Sequence, residues 1–524
     1  MGPWCRHLVP HLVSRDRSSS PRSRTASPDP RRVLNRRRHC GRRQPIDRRA
    51  AVDNRHRHLF ARGEEVRVQP PEDLRGKKLK SLVVLSLCGA LASLPLSATA
   101  QTAKRCLIGA YQLENGQTLD IAPSRGDTLH WTAFTGETGR LRPQADGSWT
   151  STVGWTDRPA TDTLSSADCK DGEKSEITFG GKRGHRLAFD VSETRFESNG
   201  IKLVGRLVLP KGKGPVPVVV LLHGSEDDSA RDTNSLQRAL PAEGIGVFVY
   251  DKRGTGASGG AYTQDFDVLA DDAVLAMREA RRLAGARAGR VGYQGGSQGG
   301  WIAPLAAQRS PVDFVIVGFG LTVSMIDQDQ QSVALEMRTN GHSAQDTEKA
   351  LALTRAGERV IESRGRDGYE AFDALRQKYK SEPWYKDVRG NFLHLVLPLD
   401  KAQIVEGLNT KYKFETSFRY DPMPTLRAST TPQLWILAAD DRVAPSAESA
   451  ASIRSLIAAG KRYTLAVYPG ADHGMTEFEV NPDGRRVSTR FPKGYFQMMR
   501  DFIRDGRVGD AYGNAVMTLP AGGQ

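Results

Sequence analysis

Serine, aspartate and histidine recur in this chain in an order and a setting that could run acyl transfer. Ser297 sits in Gly295-Gly296-Ser297-Gln298-Gly299. Glycines at both second neighbours suit a turn so tight that larger side chains would strike the adjoining strand and helix. Such a turn exposes the hydroxyl, and the next N–H, from Gln298, can face a developing oxyanion. Most glycine-rich turns are only turns, so the reading depends on partners. Asp441 lies in Ala439-Asp440-Asp441-Arg442-Val443-Ala444-Pro445, and His473 in Pro469-Gly470-Ala471-Asp472-His473-Gly474. An imidazole can take the serine proton and return it to a leaving group, and a carboxylate can orient that imidazole and stabilise its cation. His223-Gly224-Ser225 supplies a second oxyanion donor, the Ser225 N–H, while His223 itself reads as structural. A lone loop histidine is usually inert and a loop aspartate usually a cap. The order of the three, each after an apolar strand-like run, singles them out. The expected set is Ser297, Asp441 and His473 as catalytic residues and Ser225 and Gln298 as oxyanion donors, with no metal and no cofactor.

These residues need a parallel sheet to position them. From about Phe196 apolar runs alternate with helical periodicity, the mark of an α/β fold. Ile201–Leu209, Val216–Leu222, Gly246–Tyr250, Asp313–Val317, Gln433–Leu437 and Thr464–Tyr468 read as strands. Helices are expected over Leu236–Glu243, Asp265–Leu283, Ser446–Ala459 and Tyr495–Ile503. The helix after Ser297 contains Pro304, past the positions where proline is free, so a kink is expected. Residues 321–427 interrupt the alternation with helices at Asp327–Thr339, Ser343–Gly365, Gly368–Tyr379 and Asp400–Gly407. A capping box is expected at Ser343 and Asp346. An insert of this size between strands is expected to be a lid over the site. Residues 101–192 read instead as short strands with Asn115-Gly116 and Asp146-Gly147 turns, a small antiparallel β-domain. It would be a packing or gating module or a structural appendage.

The chain has 524 residues and a formal charge of +15. Residues 1–100 carry +14 of this, leaving +1 for the remainder, so the total charge is no argument for nucleic-acid binding. Residues 1–76 are rich in Arg, Ser, Pro and His and cannot bury a core; they read as a disordered basic arm or as untranslated sequence. The second is favoured because a leader-like segment begins directly after them. Lys77-Lys78-Leu79-Lys80, the apolar stretch 81–96 and Ala98-Thr99-Ala100 have the layout of a signal peptide cleaved before Gln101, and such a signal belongs at the start of a chain. The alternatives are weaker. A membrane anchor needs about 20 apolar residues and this run contains Pro95. Cys88 lacks the small residue expected before a lipidated cysteine, and Arg31-Arg32 lies too far upstream for twin-arginine export. A periplasmic or secreted protein with no stable membrane span after cleavage is expected. Cys106 and Cys169 remain after cleavage and would form one disulfide, the alternative being two buried thiols.

Residues from about 193 to 505 resemble the alpha/beta-hydrolases, and within them the bacterial serine esterases related to dienelactone hydrolases and serine aminopeptidase-like hydrolases. The residues that carry the resemblance are Gly200–Leu203, His223-Gly224-Ser225, Arg231-Asp232, Tyr250–Ser258, Gly295–Gly299, Tyr420-Asp421-Pro422, the Asp441 loop and Asp472-His473-Gly474. The resemblance implies a metal-free acyl hydrolase acting on a small-molecule ester. The family's acid loop runs Asp, two residues, a small or branched residue, then Pro, which fits Asp441 and leaves Asp440 as a loop cap. Where the family often has glycine, Glu226 stands here and adds an acid near the oxyanion site, which disfavours anionic substrates. The β-domain lies outside the match. Rival readings are a peptidase or aminopeptidase with the same three residues and a non-catalytic binding protein on the same scaffold.

Overall fold

The computed structural model describes residues 105–124, 126–166 and 175–521. The signal peptide, the basic leader and Cys169 lie outside these; Cys106 is buried and disulfide-bonded. Among the described residues no helix is long and apolar enough to cross a membrane.

The first eight strands close into an antiparallel barrel. They are β1 (Gly109–Leu113), β2 (Thr118–Pro123), β3 (Leu129–Ala133), β4 (Thr138–Pro143), β5 (Trp149–Ser151), β6 (Asp162–Ser166), β7 (Glu176–Phe179) and β8 (Lys182–Arg186), paired in sequence with β8 returning to β1. Side chains alternate across each strand, so one face of every strand points inward. Tyr111, Leu119, Ile121, Leu129, Leu141 and Leu164 fill the interior, and Trp131 packs against Phe179 with ring centroids 4.7 Å apart. The barrel is therefore a packed core rather than a cup.

The second sheet has nine strands in the order β20-β16-β15-β14-β13-β11-β12-β10-β9. These are β9 (Phe189–Ser198), β10 (Ile201–Pro210), β11 (Val216–Leu222), β12 (Gly246–Tyr250), β13 (Ala288–Gly296), β14 (Phe314–Gly318), β15 (Gln433–Ala438), β16 (Tyr463–Tyr468) and, at the C-terminal edge, β20 (Val516–Thr518). Strands β12, β11, β13, β14, β15 and β16 run parallel; β9, β10 and β20 are antiparallel to their neighbours. The division expected at residues 192/193 falls inside β9, and the expected tail 509–524 contains β20. Between Ala471 and Arg490 three further strands form a small sheet of their own, β17 (Ala471–Asp472), β18 (Thr476–Val480) and β19 (Arg486–Arg490).

Helices cover both faces of the large sheet, which is why its central strands are apolar throughout rather than alternating. The main ones are α1 (Leu236–Ala242), α2 (Phe266–Ala284) and α3 (Gly299–Arg309), then the insert helices α4 (Met325–Thr339), α5 (Ala344–Glu362), α6 (Tyr369–Tyr379), α7 (Lys401–Thr410) and α8 (Met423–Ala428), and finally α9 (Ala447–Ala458) and α10 (Tyr495–Asp505). Asp265 caps α2 by accepting the N–H groups of Asp267 and Val268. Pro304 lies inside α3, which continues to Arg309. The full capping box stands at Ser324 and Asp327, while at Ser343 only the hydroxyl-to-Asp346 half forms. The insert has its own apolar centre around Leu353, Phe372, Trp384 and Leu393.

The barrel docks on the sheet's helices. Asp120 of β2, almost fully buried, takes both arms of Arg238 of α1 at 2.6 and 3.0 Å. Phe134 packs on Phe496 of α10. A paired buried charge of this kind is costly to break, because the remaining ion keeps its desolvation penalty.

Candidate active site

Ser297 occupies the turn between β13 and α3 with φ at 51°, a left-handed conformation that costs a non-glycine residue roughly 1–3 kcal/mol. Its N–H is held by the Gly318 carbonyl at 3.0 Å, at the end of β14. The glycines allow the close approach that the turn needs. A Cβ on Gly299 would lie 2.9 Å from the His223 carbonyl oxygen, and one on Gly296 2.5 Å from the Phe319 ring. The strain is therefore supported by two neighbouring strands rather than relieved.

His473 lies on the three-residue turn between β17 and β18. Its Nε2 is 3.2 Å from the Ser297 hydroxyl and its Nδ1 is 2.9 Å from Asp441 Oδ2. The other Asp441 oxygen accepts the N–H groups of Val443 and Ala444 at 2.9 and 2.7 Å, and the side chain is 1% exposed. Both oxygens of this carboxylate are thus committed, one to the loop and one to the imidazole. Asp440 points elsewhere: it is exposed, and its Oδ2 accepts the Gly470 N–H at 2.8 Å. Burial opposes protonation of His473, but the carboxylates of Asp441 and Asp472, with Glu226 beyond them, outweigh it and hold its pKa above the usual imidazole value. Phe319 covers the ring edge-on at 5.0 Å.

Ser225 and Gln298 flank this array. Among the described residues neither backbone N–H meets an acceptor, so both are free to serve a ligand oxygen. The Ser225 loop is held by a set of residues that motif reading did not separate out. Lys252, 2% exposed, donates from Nζ to the Gly224 carbonyl at 2.7 Å, and Tyr262 donates its hydroxyl to the Ser225 carbonyl at 2.5 Å. The ammonium lies 4.7 Å from the Tyr262 ring centroid, and burial lowers its pKa to about 8. Glu226 turns back to accept the Gly224 N–H at 3.0 Å, although 42% of its side chain stays exposed. His223 bonds the Tyr250 carbonyl through Nε2 at 2.9 Å, and burial followed by the nearby Lys252 charge lowers its pKa to about 4. A neutral imidazole committed to the backbone is structural, as its place in the sequence suggests. A lysine following a strand was visible as part of Tyr250–Ser258, but its burial was not.

The insert grips the acid loop and approaches the oxyanion loop. Gln328 and Asn391 each donate to the Val443 carbonyl at 2.8 Å, and Ser332 does so at 3.2 Å. Phe414 packs edge-on against Tyr262 at 4.9 Å.

Residues 213–364 match the model of the serine aminopeptidase S33 family. The chain is 30% identical over 150 residues to the esterase EstD of Thermotoga maritima, an alignment that spans 26% of this chain and 35% of EstD. It thus spans about a third of the length of that relative. Solved structures it is similar to include the Pyrococcus furiosus esterase Pf2001, with 15% identity, TM-score 0.35, and 54% of this chain and 84% of that one covered. Another is the Pyrococcus horikoshii acylaminoacyl peptidase, with 16% identity, TM-score 0.34, and coverage of 68% and 52%. Residues 213–364, which hold the strained serine turn, are thus similar to the serine aminopeptidase S33 family, and the chain is similar over 150 residues to an esterase.

Proposed function

We propose that this chain is an exported serine hydrolase of small carboxylic esters. The observation that carries the reading is the continuous hydrogen-bonded line from Ser297 through His473 to Asp441, built on a serine with positive φ. Ser297 Oγ attacks the acyl carbon while His473 Nε2 accepts its proton. Asp441 keeps the Nδ1 proton in place and stabilises the imidazolium. The N–H groups of Ser225 and Gln298 bind the oxyanion, and the Ser225 loop is stiffened beforehand by Lys252 and Tyr262. His473 then returns its proton to the leaving alcohol. Water, deprotonated by the same imidazole, attacks the acyl-enzyme and frees the acid and Ser297.

The match to serine aminopeptidases favours a second reading, hydrolysis of an aminoacyl amide with the same residues. A panel of acyl esters of increasing chain length, with an aminoacyl amide control, separates the two. We expect turnover of a short acyl ester and a much poorer amide. Preferred cleavage of the amide would move the assignment to the peptidase.

The insert 321–427 acts as a lid in this reading. Its contacts with the Val443 carbonyl, on the acid loop, and with Tyr262, which holds the Ser225 loop, support that role. A folded truncation should change chain-length preference more than turnover of the smallest ester. Export rests on the leader at residues 77–100, and the secreted chain should begin at Gln101.

A further inference from the structure

The sheet that carries His473 is anchored outside the hydrolase fold. His473 occupies the turn between β17 and β18; the next turn leads into β19, and β19 lies against the barrel. The Trp155 N–H donates to the Ser488 carbonyl at 2.9 Å, and the Phe491 N–H to the Gly136 carbonyl at 2.8 Å. Arg490 pairs with Glu137 at 3.0 Å, and Arg158 with Glu479. Gly136 permits this approach, for a Cβ there would sit 2.5 Å from the Phe491 carbonyl oxygen.

Arg486, the first residue of β19, reaches back from this anchored hairpin to both loops of the candidate site. Its Nη1 donates to the Asp440 carbonyl at 2.6 Å, on the acid loop, and to Asp472 Oδ2 at 2.8 Å, on the histidine loop. The guanidinium stacks on Phe478 at 4.0 Å and is 17% exposed. Asp472 in turn accepts the His473 N–H at 2.8 Å and the Arg442 N–H at 3.3 Å. One cation therefore fixes the spacing of the two loops whose side chains must meet, and it is held by a hairpin that the barrel clasps.

We propose that Arg486 is a positioning residue for the His473–Asp441 pair, and that the barrel serves the reaction by holding the hairpin that presents it. The inference rests on the assignment of Ser297, His473 and Asp441 as the reacting array. The charged groups facing His473 are Asp441 on the acid loop, Asp472 on its own loop and Glu226 on the oxyanion loop. Arg486 compensates Asp472, a charge that Arg442 also faces. Removing Arg486 leaves that carboxylate less compensated beside the imidazole, which favours the protonated form.

The test uses the full mature chain and the variants Arg486→Met, Arg486→Lys, Asp472→Asn and Glu137→Gln. Each is titrated with a fluorophosphonate so that rates are expressed per reactive serine, and kcat, KM and pH profiles are then measured on a short acyl ester. Arg486→Met should lower kcat by about 10–100-fold, the order of loss from misplacing reacting groups by an ångström, with KM changed little. Its acid limb should move to higher pH. Arg486→Lys should restore the limb but only part of kcat, since a point charge replaces a planar fork. Asp472→Asn should move the limb to lower pH. Glu137→Gln should lower kcat in the same direction as Arg486→Met but less, because it loosens only one barrel contact. A merely structural arginine would reduce melting temperature and titratable sites while leaving kcat per site and the limb in place, and that result would overturn the proposal. If Arg486→Met does not fold, an unmoved limb in Asp472→Asn has the same force. Failure of the wild-type protein to label would sink the parent assignment, whereas normal labelling with unchanged variants would sink only this one.

Discussion

Replacing Asp441 by asparagine should abolish most turnover while leaving the loop folded, and the geometry says why. Asp441 Oδ1 accepts two loop N–H groups, at 2.9 and 2.7 Å. An asparagine keeps an oxygen there, because only its carbonyl can accept those bonds. Its NH₂ then occupies the place of Oδ2, 2.9 Å from His473 Nδ1, and donates where the carboxylate had accepted. The imidazole must turn Nδ1 into an acceptor and carry its proton on Nε2, facing Ser297. In that tautomer it cannot take the serine proton, and the stabilising charge is lost as well. The expected fall in kcat is about 10⁴-fold, the loss a Ser-His-Asp array suffers from this exchange, or roughly 5.5 kcal/mol at 1.36 kcal/mol per decade. Asp440→Asn is the control: its exposed carboxylate accepts one N–H, from Gly470, which an asparagine oxygen can also accept. Its kcat should stay within a few-fold of wild type. Both variants are assayed on a short acyl ester, with circular dichroism and thermal melts to confirm folding. A larger loss at position 440, or a loss of less than tenfold at 441, would refute the reasoning.

Three further outcomes are expected. Because the base must be neutral and the pKa of His473 is held above its ordinary value, kcat/KM should fall as pH drops through a value above about 6.5; a flat profile between pH 5 and 8 would exclude an imidazole base. Asp120→Ala strands the partly buried Arg238 guanidinium and should cost roughly 3 kcal/mol, the lower end for a broken buried pair, read as a lowered denaturation midpoint in urea. Peptide mass spectrometry under denaturing, non-reducing conditions should find neither of these two as a free thiol and Cys106 joined to Cys169, a link worth roughly 3–5 kcal/mol if unstrained.

The parts of the molecule legible in the sequence are those whose energetics are local. Val218–Leu222 and Gly246–Tyr250 are buried on both faces, so their residues are apolar throughout and each run announces itself. The order serine, aspartate, histidine, each after such a run, marked residues that the fold then brings together. Where stability comes from distant partners the signal fades. Strands β4 and β6 each bury one leucine against the barrel interior and otherwise show polar, glycine or proline residues, so neither has an apolar pattern to read. Edge strand β9 is largely exposed and polar, which hid the true start of the large sheet. The β18–β19 hairpin is half-buried and charged on both strands, and its anchor is a barrel more than 300 residues earlier in the chain. Lys252 and Arg486 look like ordinary surface cations in sequence, because nothing local tells that one is buried and the other bridges two loops.

The central claim is that Ser297 is a nucleophile activated by His473. Incubating the protein with a fluorophosphonate and mapping the adduct by peptide mass spectrometry tests it directly. A single stoichiometric adduct on Ser297 is expected, together with loss of ester hydrolysis in step with labelling and no adduct in a folded Ser297→Ala variant. An unlabelled Ser297 in a protein that still hydrolyses esters, or wild-type turnover by Ser297→Ala, would contradict the account.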